Sequence, residues 1–257
     1  MARANMTRVS VQWIVEPLLE GSAYSSTCTL LTSHAHRVVV DSGLSLEERA
    51  LVQALHGRGL EPGDIDTVIN THLHVDHCGN NAAFPRALFF MSRDEWRWTD
   101  AFYTALFASR TPERAAPEFY PELASYGLKT RTIRNVARMA RLFWRRERLG
   151  PEERFRWIET TTLPEGLEIV PTPGHTPFHI SIRVAAPTPT IIAGDAVLAE
   201  DPEARVRTMI PHSRARFLAT REALLARGDR IVPGHGRAFT PLHIRDEFRL
   251  GAPLSIT

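Results

Sequence analysis

The sequence predicts an α/β fold with a helical insertion, and three observations point to it. Short segments rich in β-branched residues alternate with a helical pattern in the first half of the chain. The middle, residues 93–157, is rich in aromatic residues and arginine at helical spacing. Strand patterns then return towards the C-terminus. Because strands and helices that alternate along a chain usually pack as layers, we expect helices to cover sheet.

The overall composition is typical of a soluble globular protein. Hydrophobic residues make up 43% of the 257 residues and charged residues 23%, and the net charge of +2 gives no general attraction to a polyanionic partner. Only two cysteines occur, which is too few for a disulfide framework. No run reaches the roughly 20 apolar residues of a membrane span, so we expect a cytoplasmic protein without a transmembrane segment.

Three strands and one helix are predicted in the first half. The strands are short and rich in β-branched or apolar residues, and they cover residues 29–32, 37–41 and 65–70. After the second strand, Ser45-Leu-Glu-Glu48 is a capping-box pattern that predicts the start of a helix. Gly57 and Gly59 predict its end.

The predicted helical insertion, residues 93–157, is interrupted by prolines. Its clearest helix covers residues 132–148, where apolar side chains recur at helical spacing and arginines occupy other faces. Residues 131–156 carry nine arginines against three glutamates. A solvated face is the simplest interpretation of this stretch, and an anionic substrate, a nucleic-acid backbone or a membrane surface are the alternatives.

Strands and one helix are also predicted in the C-terminal part of the chain. The strands cover residues 167–170, 179–184, 190–193 and 230–232. The helix covers residues 213–227. Several of these strands run directly into segments that contain Gly and Pro, so we expect tight loops at their ends.

The histidines provide the strongest functional signal. Three of the eleven lie within six residues, in His72-Leu-His74-Val-Asp76-His77, directly after a predicted strand. Imidazole and carboxylate groups are good ligands for zinc and related divalent metals. A tight loop of this kind can direct His72 and His74 to one ion and Asp76 and His77 to a second.

Three further candidate ligands follow strand-like segments and lie next to glycine. They are His175 in Pro-Gly-His-Thr, Asp195 in Ala-Gly-Asp and His235 in Pro-Gly-His-Gly. Glycine lets the backbone approach a crowded centre closely. A single histidine in such a turn is usually an ordinary turn residue, but the four segments together predict a metal site where strand ends converge.

In this order, the four segments resemble the motif set of the metallo-β-lactamase superfamily, over nearly the whole chain. The resemblance implies a single domain over residues 1–257, a four-layer αββα sandwich with its metals at one edge, and residues 93–157 as the variable insertion. One zinc ion would be held by His72, His74 and His175, the other by Asp76, His77 and His235, and Asp195 would bridge them. Asp41 resembles the aspartate that supports the metal loop from outside the ligand set.

Within the family, the pattern is similar to the lactonases of acyl-homoserine lactones and to glyoxalase II. The segment from Val170 to Pro177, preceded by a helical insertion, most resembles the lactonases. Those enzymes commonly carry a tyrosine three residues after the bridging aspartate, whereas this chain has Leu198. The resemblance implies that a metal-bridged hydroxide attacks a carbonyl carbon, and we expect Asp76 to carry a proton to the leaving group.

Several other residues have two interpretations each. His179, four residues after His175, is expected to support the site rather than bind metal. Aromatic residues of the insertion, notably Phe102, Tyr103 and Phe107, could cap the site and form an apolar substrate pocket together with Leu198. Plain helix packing or a homodimer interface explains the same aromatic residues equally well.

The sequence therefore predicts an enzyme, a dinuclear metallohydrolase that cleaves a small ester, lactone or thioester. Zinc is the expected metal, with manganese, iron or cobalt as alternatives. A phosphodiesterase or ribonuclease of the same fold is the second hypothesis, because the arginine-rich stretch could bind phosphates. A metal-binding module without catalysis is the third, although seven ligands exceed the four of a usual structural zinc site.

Overall fold

Two β-sheets form the centre of the computed structural model, which describes residues 11–22, 25–127, 129–199 and 210–241. The strands are β1 (Ile14–Leu19), β2 (Cys28–Thr32), β3 (Arg37–Val40), β4 (Thr67–Ile69), β5 (Leu88–Met91), β6 (Phe155–Trp157), β7 (Leu167–Pro171), β8 (Ile180–Val184), β9 (Thr190–Gly194) and β10 (Arg230–Pro233). The helices are α1 (Glu48–His56), α2 (Val75–Cys78), α3 (Arg93–Ala108), α4 (Pro112–Phe119), α5 (Thr130–Phe143) and α6 (Arg214–Ala226).

The first sheet has six strands in the order β1-β2-β3-β4-β5-β6. The strands β1, β2 and β3 pair antiparallel, whereas β3 to β6 pair parallel. The second sheet has the order β10-β9-β8-β7, in which only β9 and β10 pair parallel. In the parallel parts, successive strands end at the same edge, and this edge carries the candidate site.

The side chains of each sheet alternate between two cores. Val38 and Val40 of β3 face an inner core that also contains Ile182 of β8, and this core joins the two sheets. Val39, between them, faces an outer core that includes residues of α1 and α3. On the outer side of the second sheet, Leu224 of α6 packs in a smaller core. The resulting order of helix, sheet, sheet and helix confirms the predicted four-layer αββα sandwich.

All seven sequence-predicted strands are present, with ends that differ by one or two residues. Strands β1, β5 and β6 were not predicted. The end of the predicted helical insertion is wrong, because Phe155–Trp157 form β6 along the edge of β5. The three-residue alternation of this strand is too short to be distinguished from the helical pattern before it.

Two details of the predicted helices are also wrong. Ser45 does not cap a helix; it begins a short 3-10 turn, Ser45–Glu47, that precedes α1. The carboxylate of Glu47 instead accepts a hydrogen bond from the hydroxyl of Ser25. The helix predicted over residues 132–148 ends at Phe143, where Trp144 takes an extended backbone and stacks on Tyr103 with ring centroids 4.2 Å apart. Among the described residues, no helix combines the length and apolar composition needed to cross a membrane.

Candidate metal centre

Loops at the ends of five strands meet at one edge of the sandwich. Asp41 follows β3, the loop from Asn70 to His74 follows β4, and His175 lies in the loop after β7. Asp195 directly follows β9, and His235 lies two residues after β10. Asp76 and His77 lie in α2, which follows the loop after β4. All seven sequence-predicted ligands therefore lie at the edge at which the sequence predicted a site.

The first group of candidate ligands consists of His72, His74 and His175. The Nε2 atom of His175 lies 3.2 Å from Nε2 of His72 and 2.9 Å from Nδ1 of His74. The remaining distance, from His72 Nε2 to His74 Nδ1, is 3.1 Å. Each imidazole thus presents one nitrogen to a common point.

The second group consists of Asp76, His77 and His235, whose ligand atoms lie within 4.8 Å of one another. Asp76 Oδ2 is 3.6 Å from His235 Nε2 and 3.9 Å from His77 Nε2. Asp195 lies between the groups. Its Oδ1 is 3.2 Å from His77 Nε2 and 3.3 Å from His235 Nε2, whereas its Oδ2 is 3.2 Å from His175 Nε2. One carboxylate oxygen therefore faces each group.

The chemistry of these atoms fits divalent cations. Four ligands at about 2.0–2.1 Å from a tetrahedral zinc ion lie about 3.3 Å apart, close to the spacing of the three nitrogens in the first group. His77 Nε2 and Asp195 Oδ1 are buried and lack a hydrogen-bond partner of acceptable geometry among the described residues. Buried polar atoms without partners are costly, and a cation between them would satisfy both.

Hydrogen bonds at the far side of the imidazoles of His77 and His235 fix the orientation of these two rings. His77 Nδ1 lies 2.8 Å from Asp41 Oδ2, and His235 Nδ1 lies 2.7 and 2.8 Å from the backbone oxygens of Ser22 and Ser25. A carbonyl oxygen only accepts, so the proton of His235 is on Nδ1 and its Nε2 lone pair is directed to the second group.

Asp41 is held in an unusual backbone conformation. Its φ is 56°, in the left-handed region that most residues avoid but that Asp and Asn tolerate better than others. Its carboxylate accepts hydrogen bonds from the backbone N–H of Thr71 at 2.9 Å and from the Thr71 hydroxyl at 2.8 Å, besides its contact with His77. Asp41 thus joins both ends of the His72–His77 loop, as the resemblance implied.

Two glycines allow the strand ends to come this close. A Cβ at Gly194, which has φ +51°, would lie 2.6 Å from Thr71 Oγ1 and 2.9 Å from His179 Nε2. A Cβ at Gly234 would overlap with Asp195 Oδ1. These glycines are required because any side chain would separate the loops that carry the ligands.

Burial dominates the pKa values in the first group. It lowers the pKa of His72 and of His175 well below the usual value, and neighbouring imidazoles lower that of His72 further. The pKa of His74 falls to about 4, again mainly through burial. At neutral pH these three imidazoles are uncharged, which is the state in which histidine binds metal.

Charge dominates in the second group. Burial alone would lower the pKa of His77 and His235, but the carboxylates of Asp195 and Asp76, with Asp41 beside His77, raise both. Burial alone would raise the pKa of Asp195, but the nearby imidazoles of His77, His235 and His175 hold it well below the usual value. This half of the site therefore concentrates negative charge that a cation can neutralise.

His179 supports the backbone of Asp195. Its Nε2 accepts a hydrogen bond from the Asp195 N–H at 3.1 Å, so its proton is on Nδ1, which lies 2.8 Å from Thr172 Oγ1. Burial lowers its pKa to about 3, so the ring is neutral and can accept this bond. Since both nitrogens of His179 are engaged, this geometry favours the predicted supporting role over ligation.

Two contacts from the helical region were missed by the sequence analysis. The hydroxyl of Tyr120, after α4, lies 2.7 Å from His74 Nε2. Glu95, on α3, accepts a hydrogen bond from the Thr176 hydroxyl at 2.8 Å. The sequence around Glu95, Ser92-Arg-Asp-Glu95, is a helix-capping pattern, and the Ser92 side chain does accept a hydrogen bond from Glu95 N–H. This pattern gives no hint that the Glu95 carboxyl group turns to the metal loops.

The predicted pocket residues lie at different distances from the ligands. Leu198 is buried, and its backbone oxygen accepts a hydrogen bond from His235 N–H at 2.8 Å. The ring of Phe102 packs edge-on against Tyr120 at 5.4 Å. Tyr103 and Phe107 contact each other within the outer core. The assignment of these four residues to a substrate pocket remains a prediction.

Comparisons with known proteins agree with this geometry. The family model described as the metallo-beta-lactamase superfamily matches residues 21–235. Metallo-beta-lactamase domain-containing protein 1 of Xenopus laevis is 29% identical over 217 residues, which cover 79% of this chain and 67% of that protein. The human protein of the same name is 29% identical over 219 residues, which cover 80% of this chain and 60% of that protein. This chain thus spans about two thirds or less of these relatives.

Solved structures share the fold. A dizinc quorum-quenching lactonase bound to its product, an N-acyl homoserine, superposes with a TM-score of 0.56 and 15% identity, covering 87% of this chain and 84% of that chain. A variant of AiiA from Bacillus thuringiensis, with N-decanoyl-L-homoserine at its active site, has a TM-score of 0.57 and 18% identity, covering 88% of this chain and 94% of that chain.

Proposed function

The chain belongs to the metallo-beta-lactamase superfamily, and on this premise we propose that it is a hydrolase that uses two divalent cations to cleave a small ester, lactone or thioester. One observation carries the proposal: Asp195 directs one carboxylate oxygen to each of two ligand groups. A structural zinc site is normally closed by four ligands, whereas two adjacent groups that share a carboxylate are typical of hydrolytic centres.

The residues of the two groups would hold the cations. When bound, zinc or a related divalent cation supplies Lewis acidity: it polarises a carbonyl oxygen and lowers the pKa of water. The first group offers three neutral imidazoles, and the second offers Asp76 with two imidazoles. Burial of His72, His175, His77 and His235 keeps their ligand atoms in place without large motions.

Asp76 is proposed to transfer a proton to the leaving group. Its side chain is 21% exposed, whereas that of Asp195 is 6% exposed and that of His77 is fully buried. A carboxylate at the open side of the site can reach both a substrate and solvent. The Ser26 hydroxyl donates to the backbone oxygen of Asp76 at 2.6 Å and thereby holds the residue in position.

The substrate class is supported by structural neighbours that hold products or ligands of the N-acyl homoserine type. The helical region packs aromatic rings next to the first group, as in the contact of Trp98 with Tyr120 at 5.4 Å. An apolar wall of this kind suits an acyl chain. The lactonases carry a tyrosine at the position of Leu198. We therefore expect this chain to bind the carbonyl group of its substrate in a way that differs in detail from theirs.

The nuclease hypothesis receives less support. Arg141 Nη2 donates to the backbone oxygens of Leu106, Phe107 and Ser109, at 2.9–3.2 Å, and so caps the end of α3. Arg134 pairs with Glu113 at 2.6 Å. These arginines of the basic stretch stabilise the helical region itself, so their positive charge does not require a phosphate backbone as partner.

A turnover panel tests the proposal on protein whose bound metals have been counted. We expect hydrolysis of lactones, esters or thioesters, and none of a β-lactam or a phosphodiester. The rate should change little with salt, whereas nuclease binding should weaken steeply. Phosphodiester cleavage that exceeds all carbonyl substrates would overturn the substrate class.

Two variants accompany the panel. Asp76→Asn should lose turnover even when zinc is added until both ions are bound, because an amide cannot transfer the proton; full turnover with both ions bound would eliminate this role. His56→Ala, which removes an exposed histidine paired with Glu61 at 3.0 Å, should match the wild type.

A further inference from the structure

Tyr120 is the point where the helical region reaches the metal centre. It directly follows α4, and its backbone N–H donates to Ala116 O at 2.9 Å. The residue is 8% exposed, and its ring packs edge-on against Trp98 and Phe102, each at 5.4 Å between centroids. Because these contacts fix the ring, the hydroxyl reaches its position at little further cost in side-chain entropy.

The hydroxyl lies 2.7 Å from Nε2 of His74. The other ring nitrogen of His74, Nδ1, faces the nitrogens of His72 and His175 at 3.1 and 2.9 Å. A neutral imidazole carries one proton, so the two nitrogens have opposite roles. If Nε2 carries the proton and donates it to the Tyr120 oxygen, Nδ1 has a free lone pair for a cation. If the phenol instead donated to Nε2, the proton would be on Nδ1 and would block that cation.

We propose that Tyr120 is a positioning residue that accepts a hydrogen bond from His74 Nε2–H, selects this tautomer, and thereby keeps Nδ1 available to a metal ion in the first group. The inference rests on the proposed metal site.

The origin of this contact distinguishes it from the other orienting bonds. The partners of His77 and His235 are Asp41 and the backbone of Ser22 and Ser25, which lie in the first forty-one residues. Tyr120 comes from the helical region instead. Changes in that region would therefore affect metal affinity as well as substrate fit, and would act on the first group in particular.

Metal affinity of Tyr120→Phe tests the proposal. Apo-protein is titrated with zinc in competition with a chromophoric chelator, and the two binding steps are fitted separately. Loss of a hydrogen-bond partner outside the ligand set typically costs 10–100-fold in metal affinity, so we expect a weakening of about that size in one step and little change in the other. Affinities within twofold of the wild type in both steps would overturn the proposal.

Two further variants separate the possible explanations. Tyr103→Phe removes the hydroxyl of another buried tyrosine, whose ring stacks on Trp144, and its zinc affinities should equal those of the wild type. His74→Ala should weaken one step more than Tyr120→Phe does. If His74→Ala binds both ions as tightly as the wild type, the metal-site proposal itself fails; if only Tyr120→Phe is unaffected, the failure is confined to Tyr120.

A tautomer measurement keeps the proposal testable even if Tyr120→Phe folds poorly. Long-range ¹H–¹⁵N spectra of the wild-type apo-protein at pH 7 report which nitrogen of His74 carries the proton. We expect protonation at Nε2. Protonation at Nδ1 in the wild type would contradict the proposal independently of any variant.

Discussion

The two ligand groups are prepared for a cation in different ways. In the first group, burial keeps His72, His74 and His175 uncharged. In the second, carboxylates raise the pKa of His77 and His235, so that these imidazoles attract protons when no cation is present. The first group thus resembles a preformed neutral site, whereas the second relies on opposite charge.

The difference has a structural origin. The first group is adjacent to the helical region, which contributes Tyr120 and, through Thr176, Glu95. The second group is anchored by Asp41 and by backbone oxygens near the start of the chain. The two sets of supports are connected through Thr71, which binds Asp41 and contacts His72. Substitutions can therefore be designed to affect both groups, mainly one group, or the supports alone.

Asp195→Asn should have the largest effect, because Asp195 is the element that the groups share. The amide keeps the shape but removes the negative charge and one of the two acceptor oxygens. Loss of a hydrogen-bond partner outside the ligand set already lowers metal affinity about 10–100-fold. For the shared ligand itself, we expect losses of more than about a hundredfold in the affinity of both zinc-binding steps and in turnover. Chelator competition and metal counting measure the binding directly.

Asp94→Asn is the control for this variant. Asp94 is an exposed residue of α3 that lies 3.6 Å from Arg97, and its substitution should leave metal content unchanged. If Asp195→Asn weakens only one zinc-binding step, the two groups do not share this carboxylate. That result would contradict the proposal that Asp195 connects them.

Asp41→Asn should affect the second group most, because Asp41 contacts His77 directly and reaches His72 of the first group only through Thr71. Asn tolerates the left-handed backbone of this position, but its amide cannot accept from Thr71 and His77 as two carboxylate oxygens do. His77 would lose its fixed orientation, and we expect one zinc-binding step to weaken by about 10–100-fold. Titration of the variant with zinc would show whether the other step is retained.

Asp66→Asn provides a matched control. Like Asp41, Asp66 accepts from a backbone N–H, that of Arg37 at 2.7 Å, and from a threonine hydroxyl, that of Thr67 at 2.7 Å. It lies at the opposite end of β3. Equal losses of zinc affinity in both variants would indicate a general weakening of the strand rather than a specific role of Asp41.

The sequence was most informative where function and local structure coincide. Each candidate ligand follows a strand-like segment. Glycine occurs at two positions where the backbone lies very close to a neighbouring loop, Gly194 and Gly234. Strand ends in a layered sheet converge by geometry, so order and residue type sufficed to predict which side chains meet. The fold itself followed from the resemblance together with the alternating strand and helix patterns.

The supports of the ligands were predictable only in part. Asp41 was identified through the resemblance, but Tyr120 and Glu95 depend on how the helical region packs on the sandwich, which no local pattern encodes. Strand β6 was missed for a related reason: Phe155–Trp157 become a strand because β5 offers an edge to pair with. Tertiary contacts of this kind override local propensity.

Glu95→Gln should have the smallest effect and tests the supports of the first group. Burial raises the pKa of Glu95 to about 7, although the hydrogen bond that its carboxyl group accepts from the Thr176 hydroxyl opposes the shift. The carboxyl is therefore protonated in the folded protein at pH values where the unfolded chain has already lost the proton. The contribution of Glu95 to the stability of the wild type is most favourable below the unfolded pKa of about 4.5 and falls as pH rises towards 7, with a limiting slope of about 1.4 kcal/mol per pH unit.

Glutamine at this position stays neutral at every pH, so the unfolding free energy of the variant should lack this pH-dependent contribution. We expect the difference between Glu95→Gln and wild-type apo-protein to grow with pH between about 5 and 7 in denaturant unfolding, in favour of the variant. Glu48→Gln, at the exposed start of α1, should show no such trend because its carboxylate stays solvated. A constant difference for Glu95→Gln across this range would mean that Glu95 is ionised in the fold, and its contacts with the loops of His74 and His175 would then have to be those of a buried charge.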